Sequence, residues 1–183
     1  FDRTQFYFNG TVDVAGNLVN LLQRTFSGDE GDSLKVFGTP YSQFVRGEID
    51  IRYYYNFDRH NRVATRLILG TGYAYENSTT MPYIKQFSIG GSNSVRAFPA
   101  RTIGPGTCYI QEHLPEETPD QEPPQNTRLF IDQRADIKLE GSAEFRFDII
   151  NFLKGAVFID AGNIWLIRRD EDRPGAQFKK DQF

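Results

Sequence analysis

Residues that could carry chemistry are sparse in this chain of 183 residues. His60 and His113 are the only histidines, far apart and without ligand-like spacing, and both read as solvated loop residues. Cys108 stands alone, which rules out an intrachain disulfide and a multi-cysteine metal site. HExxH, P-loop and GxSxG signatures are absent. Hydrolytic or phosphoryl-transfer chemistry therefore has no visible carrier, and the chain reads as a non-enzyme without cofactor or metal. One constellation remains, running from Gln86 through Gly90, Gly91, Ser94, Val95, Arg96, Ala97 and Phe98 to Pro99. Its paired glycines permit a tight turn with positive φ. Arg96, set between apolar neighbours, suits a place close to a packed surface, whereas composition alone favours an ordinary loop with an exposed arginine.

Composition bounds the setting. Lys and Arg total 21 against 24 Asp and Glu, a formal net charge of -3, which gives no electrostatic case for binding nucleic acid. Aromatic residues reach 14%, with 16 Phe, 9 Tyr and one Trp, and this enrichment needs a structural reason. No apolar run approaches the roughly 18 residues of a membrane-spanning helix. A mean hydropathy of -0.51 reads as soluble, with one exception: a transmembrane barrel shows only alternate residues to lipid and looks polar on average.

Period-two alternation is the strongest pattern in the chain. From Ala135 to Ile149 the odd positions are Ala, Ile, Leu, Gly, Ala, Phe, Phe and Ile, and every even position from Asp136 to Asp148 is polar. Such a segment of about fifteen residues would extend roughly 50 Å, where soluble strands usually stop near five or six. The dyad recurs between Tyr41 and Phe57, with Val45, Ile49, Ile51, Tyr53 and Tyr55 against Arg46, Glu48, Asp50 and Arg52. Phe44 and Tyr54 break it. Val63 to Glu76 sets Val63, Leu67, Leu69, Tyr73 and Tyr75 against Arg66, Gly70, Gly72 and Glu76. Phe6, Phe8, Val12 and Val14 alternate with polar residues near the start, and Lys154 to Ile167 is an apolar segment carrying Asp160 and Asn163.

A soluble sandwich would turn the apolar face to a second sheet; an outer-membrane barrel would turn it to lipid and the polar face to a wet lumen. Strand length favours the barrel. So do Tyr53, Tyr54, Tyr55, Phe57, Tyr73, Tyr75 and Trp165, placed toward strand ends where an aromatic girdle sits. Connections agree: Asn56 to Arg62 and Ile150 to Lys154 are short, whereas Gly28 to Thr39 and Thr79 to Arg134 are long. Within the last, Glu112 to Asn126 is acidic and proline-rich, a composition that predicts mobility.

Gly90-Gly91-x-x-Ser94-Val95-Arg96-Ala97-Phe98 resembles the VRGF/Y motif of the BamA/TamA superfamily, also called bacterial surface antigens, with Ala97 where that family has glycine. Gly141-Ser142-Ala143-Glu144 resembles its GxxE-type pattern, and Phe158-Ile159-Asp160-Ala161-Gly162 its FxDxG pattern, followed by Asn163-Ile164-Trp165. The motifs cover roughly Phe87 to Trp165; the earlier strands match by pattern only. Arg101, Ile103-Gly104-Pro105-Gly106 and the Gly-Asn-Ile-Trp ending most resemble the TamA/TamL branch.

The resemblance implies an all-β chain, 1–183, forming part of a C-terminal antiparallel transmembrane barrel that is sixteen-stranded in the family. Its long loop, about 79–134, would fold back into the lumen. Phe1 and Phe183 are expected to be truncation points, with the seam strand and upstream POTRA domains missing. Arg96 is expected to pair with Asp160, with Glu144 nearby or bracing the loop backbone, and Gly162, on the face of Phe158 and Asp160, to leave room for the incoming loop. The implied location is the bacterial outer membrane, and the implied function is assembly or translocation of client proteins without nucleotide hydrolysis. Implied partners are outer-membrane lipid, unfolded client outer-membrane proteins, POTRA domains and a periplasmic or inner-membrane protein. A barrel exporting a patatin-like phospholipase, a two-partner secretion transporter and a passive porin are the alternatives.

Overall fold

A computed structural model of the chain describes residues 3–26, 35–36, 39–108, 132–150 and 152–179. Elements follow in the order β1 (Thr4–Ala15), α1 (Asn17–Phe26), β2 (Lys35–Val36), β3 (Thr39–Pro40), β4 (Phe44–Asn56), β5 (Arg62–Ala74), a 3-10 turn (Tyr83–Lys85), β6 (Ile137–Ile150) and β7 (Leu153–Trp165). The long strands form a five-stranded sheet in the order β1-β4-β5-β6-β7, every neighbour antiparallel. Short β2 and β3 pair with each other. The long elements are thus all β-strands, and the sheet is open, with β1 and β7 at its edges among the described residues.

Because directly opposed residues in an antiparallel pair share a face, the register sorts the alternation. Phe8, Ile51, Leu67 and Gly141 stand opposite one another on one face. On the other, Tyr7, Arg52, Arg66, Ser142 and Asp160 form a row. The apolar face stays uncovered: Phe6, Phe8, Val12, Val157 and Ile159 are exposed. A water-soluble sandwich would have buried that face against a second sheet; here, among the described residues, the chain's own cover lies mainly on the polar face.

That cover is the long segment between β5 and β6. Phe87, Ile89 and Val95 pack with Ala135, Ile164, Leu166 and Ala176 in one buried cluster, and Met81 packs with Phe44 and Ala74 in another. Phe44, which breaks the alternation in the sequence, is therefore a covered residue of the inner face rather than an irregularity. Glycines on the strands make the space. A Cβ on Gly70 would lie 2.6 Å from the Phe87 ring, and one on Gly162 would lie 3.2 Å from Ile89. Arg46 adds its guanidinium above Phe87, 4.3 Å from the ring centre, and donates from Nε to the Lys85 carbonyl at 3.0 Å.

Several sequence-based expectations shift. β6 begins at Ile137 rather than Ala135, because Ala135 exchanges backbone hydrogen bonds with Phe87 of the loop (2.9 and 3.0 Å). The Gly28 to Thr39 connection carries β2, which pairs with β3, and α1 precedes it. Tyr54 shares the inner face with Arg52, its ring 5.3 Å below the Arg62 guanidinium. Trp165 is buried and meets Phe178 edge-on at 5.4 Å. Neither is a girdle residue; Tyr53 and Tyr73 are outward and exposed. Glu112 to Asn126, with His113, lies outside the described residues. His60 is exposed in the short β4–β5 turn as expected, yet its Nδ1 stands 2.8 Å from the Asp148 carboxylate. Asp58 closes that turn by accepting from the His60 and Asn61 amides at 2.7 Å each. The Asn61 side chain first, then those amides, hold its carboxyl below the usual range.

Replacing Gly70 by Val tests whether the strand glycines seat the loop. Overpacking of this kind typically costs about 1–3 kcal/mol, and the buried Phe87 ring has to leave its place. Limited proteolysis of the full-length folded protein is expected to cut the segment around Phe87 faster in Gly70→Val while the strands stay protected.

Candidate functional site

Arg96 reaches the wall through a turn that its own neighbours close. Gly90 and Gly91 have φ of 112° and 99°, a region open to glycine and strained for other residues. A Cβ on Gly90 would collide with the Pro99 carbonyl at 2.2 Å. The Gly91 amide donates to the Phe98 carbonyl (2.9 Å), the Ser94 amide to Gly91 (3.0 Å) and the Phe98 amide to Val95 (3.2 Å). Val95 is buried as the anchor, whereas Phe98 is half-exposed at 52%. Ala97 is exposed and does not adopt positive φ, so its Cβ carries no backbone penalty in the position where the resemblance expects glycine.

The arginine then makes a forked contact. Nε and Nη2 donate to the two oxygens of Asp160 at 2.8 Å each, and the Arg96 amide adds a bond to Oδ2 at 3.2 Å. Nη1 donates to Glu144 at 2.6 Å. The guanidinium lies 3.6 Å over the centre of the Phe158 ring. Register explains the fit: Phe158 is paired with Glu144, and Asp160 stands one same-face step further along β7. A flat cation laid on the ring therefore reaches a carboxylate on either strand. Asp160 is 4% exposed, Glu144 15% and Arg96 28%. Bidentate, charge-assisted geometry with aromatic stacking uses what distinguishes arginine from lysine.

Residue by residue, the structure brings Arg96, Glu144, Phe158 and Asp160 together, and places Gly162 under Ile89. Glu144 takes the guanidinium itself, and also pairs with Arg146; the carboxylate that braces the Arg96 backbone is Asp160.

Three more groups escape a motif-based reading. Buried Glu140 accepts from the Ser94 hydroxyl at 2.7 Å, and that hydroxyl accepts from the Gly90 amide at 3.2 Å. Arg66 of β5 donates to the Asn93 carbonyl at 3.1 Å while forking onto Asp50 at 3.1 and 2.8 Å. The loop tip is thus tied to β5, β6 and β7. The usable signal lay in the alternation: Asp50, Arg66 and Glu140 all occupy the polar face, but nothing in their spacing singles them out. Beneath the tip a cavity of about 210 Å³ is lined by Arg52, Arg66, Asn93, Arg96, Glu144 and Asp160 among others, a polar space suited to water.

An open antiparallel sheet of strands 12 to 14 residues long, greasy outside and carrying an inward loop pinned by an arginine, limits the candidates sharply. The sequence profile described as the Omp85 superfamily domain matches residues 6–181, nearly the whole chain. The chain belongs to the Omp85 superfamily. That is the superfamily of BamA/TamA-type proteins, and its domain is an outer-membrane β-barrel. Omp85 proteins reside in the bacterial outer membrane, where they insert or translocate client proteins and work with POTRA domains, as non-enzymatic machines. The uncovered face of this sheet is accordingly its lipid face and the loop-covered face its lumen wall.

Removing one partner of such a pair leaves the other charge uncompensated, typically about 3–5 kcal/mol when buried; the partial exposure of Arg96 puts Arg96→Ala at the low end, about 3 kcal/mol. Arg96→Lys keeps the charge but loses the fork, so it is expected to recover less than half of that loss. Both are read from the urea midpoint of the full-length protein and from protease access to the loop; wild-type values for Arg96→Lys would show that charge alone suffices.

Proposed function

We propose that this chain is part of the barrel of an outer-membrane assembly or translocation factor, most similar to the TamA/TamL branch, in which the Arg96 loop is a fixed internal strut. The single observation that supports this reading is the fork of Arg96 on Asp160 with its third bond to Glu144. A passive pore has no need of such a strut, because charged groups lining a lumen select solutes without crossing it. A machine that has to keep its wall in register while clients pass has that need: the strut ties β5, β6 and β7 through one loop.

The work it supports needs no nucleotide in this reading. Burial of a client's apolar face in lipid drives insertion, at roughly 25 cal/mol per Å² of apolar surface, and the barrel supplies a lowered barrier. We further propose that the chain forms part of a C-terminal barrel domain that acts with POTRA domains and engages unfolded outer-membrane proteins, with a periplasmic or inner-membrane protein as a further partner class.

Depletion of the full-length protein, followed by quantitative outer-membrane proteomics and complementation, tests the proposal. Wild-type complementation is expected to restore the abundance of a defined set of barrel proteins, and Arg96→Ala, expressed at equal level, to restore markedly less. Unchanged abundance of every other barrel protein on depletion, with altered solute permeability alone, would place the chain among passive pores.

A further inference from the structure

Helix α1 is inverted relative to a helix on a water-soluble surface. Its buried residue is a polar one that faces the protein: Asn20 donates from Nδ2 to Gln43 at 3.0 Å and to Glu76 at 2.6 Å. Asn17 accepts from the Tyr75 hydroxyl at 2.5 Å. On the opposite side Leu18, Leu21 and Leu22, at the i, i+3, i+4 spacing that shares one helix face, are 70%, 63% and 47% exposed. A surface helix ordinarily faces its apolar stripe inward and its polar residues to water. Thr25, also outward, uses its hydroxyl on the Leu21 carbonyl at 2.7 Å and so does not depend on water for a partner.

We propose that this leucine face lies in the lipid of the outer leaflet, as an interfacial anchor beside the barrel wall. Continuity with the lipid face is the reason for choosing lipid over a protein. α1 follows β1 with only Gly16 between, and Val12 and Val14, the last large residues on the uncovered face of β1, are themselves exposed. Depth agrees as well. The 12 residues of β1, at about 3.3 Å each and tilted by about 45°, rise roughly 28 Å, close to the roughly 25 Å apolar band of such barrels. The helix therefore begins where hydrocarbon gives way to headgroups, the depth at which amphipathic helices settle with one face in the acyl boundary. The Asn20 bonds fix the rotation, so the leucines have no route back to the protein without breaking a buried polar cluster. The inference rests on the outer-membrane setting of the superfamily and is independent of which client the barrel serves.

Site-directed spin labelling of the full-length protein in phosphatidylethanolamine/phosphatidylglycerol vesicles tests it, in a Cys108→Ser background. Leu21→Cys is labelled, with Val14→Cys as the lipid reference and Glu171→Cys, an exposed residue of the 166–179 segment, as the water reference. Leu18→Cys serves as the second position should the Leu21 variant fail to fold. The expected result is an oxygen-to-nickel-chelate collision ratio several-fold above that of position 171 and approaching that of position 14. A ratio matching position 171 overturns the inference in favour of water. Low collision with both reagents overturns it in favour of a covering protein.

Discussion

A planar cation shared by two strands is the constraint on which the inner half of this molecule depends. Arg96 binds Asp160 on β7 with a fork and Glu144 on β6 with its remaining nitrogen, flat against Phe158. Without Arg96, Asp160 would be a nearly buried charge in want of a partner, while Glu144 would keep Arg146 alone; both contacts to Arg96 are made only when the loop is seated at one depth and one rotation. Net stabilisation from such pairs is often small, because desolvation offsets most of the attraction. What the arrangement supplies is position: the cost of breaking it greatly exceeds the gain of making it, so the loop has one low-energy place.

Packing around the strut follows the same logic of space rather than of attraction. In most β proteins the core lies between two apolar surfaces. Here it lies between an apolar loop and a wall that is otherwise polar, and it exists because strand residues at the contact points are small. Phe87 sits where Gly70 has no side chain and Ile89 where Gly162 has none, while Phe44, Ile68, Ala74 and Ile164 are the buried apolar residues the strands of the wall contribute. The segment after β7 completes the cover, with Leu166 and Ala176 in the cluster and Arg168 donating to the Thr79 and Ala74 carbonyls at 2.6 and 2.9 Å. Polar residues fill the remaining wall and pair along it, as Asp50 does with both Arg52 and Arg66.

Much of this was legible before any coordinates. An unbroken alternation around Ala143 cannot belong to a helix, and a segment so long with one face wholly charged has no partner sheet of matching length in an ordinary soluble domain. The three motifs placed Arg96, Glu144 and Asp160 in one neighbourhood. Phe44 and Tyr54 misread as pattern breaks because alternation reports on solvent, and an inner face covered by a loop or a cation accepts aromatic residues as readily as lipid does. Trp165 misread as a girdle residue because the segment that buries it comes later in the chain. α1 had no expectation attached, since its leucines mark a helix face without saying which way that face turns.

By itself, then, the sequence determined strand identity, the sidedness of each strand and the residue types available to hold the loop, because these depend on local periodicity and on the chemistry of single side chains. Tertiary structure decided which partner each of them took. That Glu140 binds Ser94, that Arg66 binds Asn93 and that Glu144 rather than Asp160 receives the third arginine bond all follow from the register between strands and the depth of a returning loop. Those are distances across residues 46 to 48 positions apart for the Glu140 and Glu144 contacts. No local pattern encodes them; only the folded chain brings the charges close enough for one geometry to exclude the others.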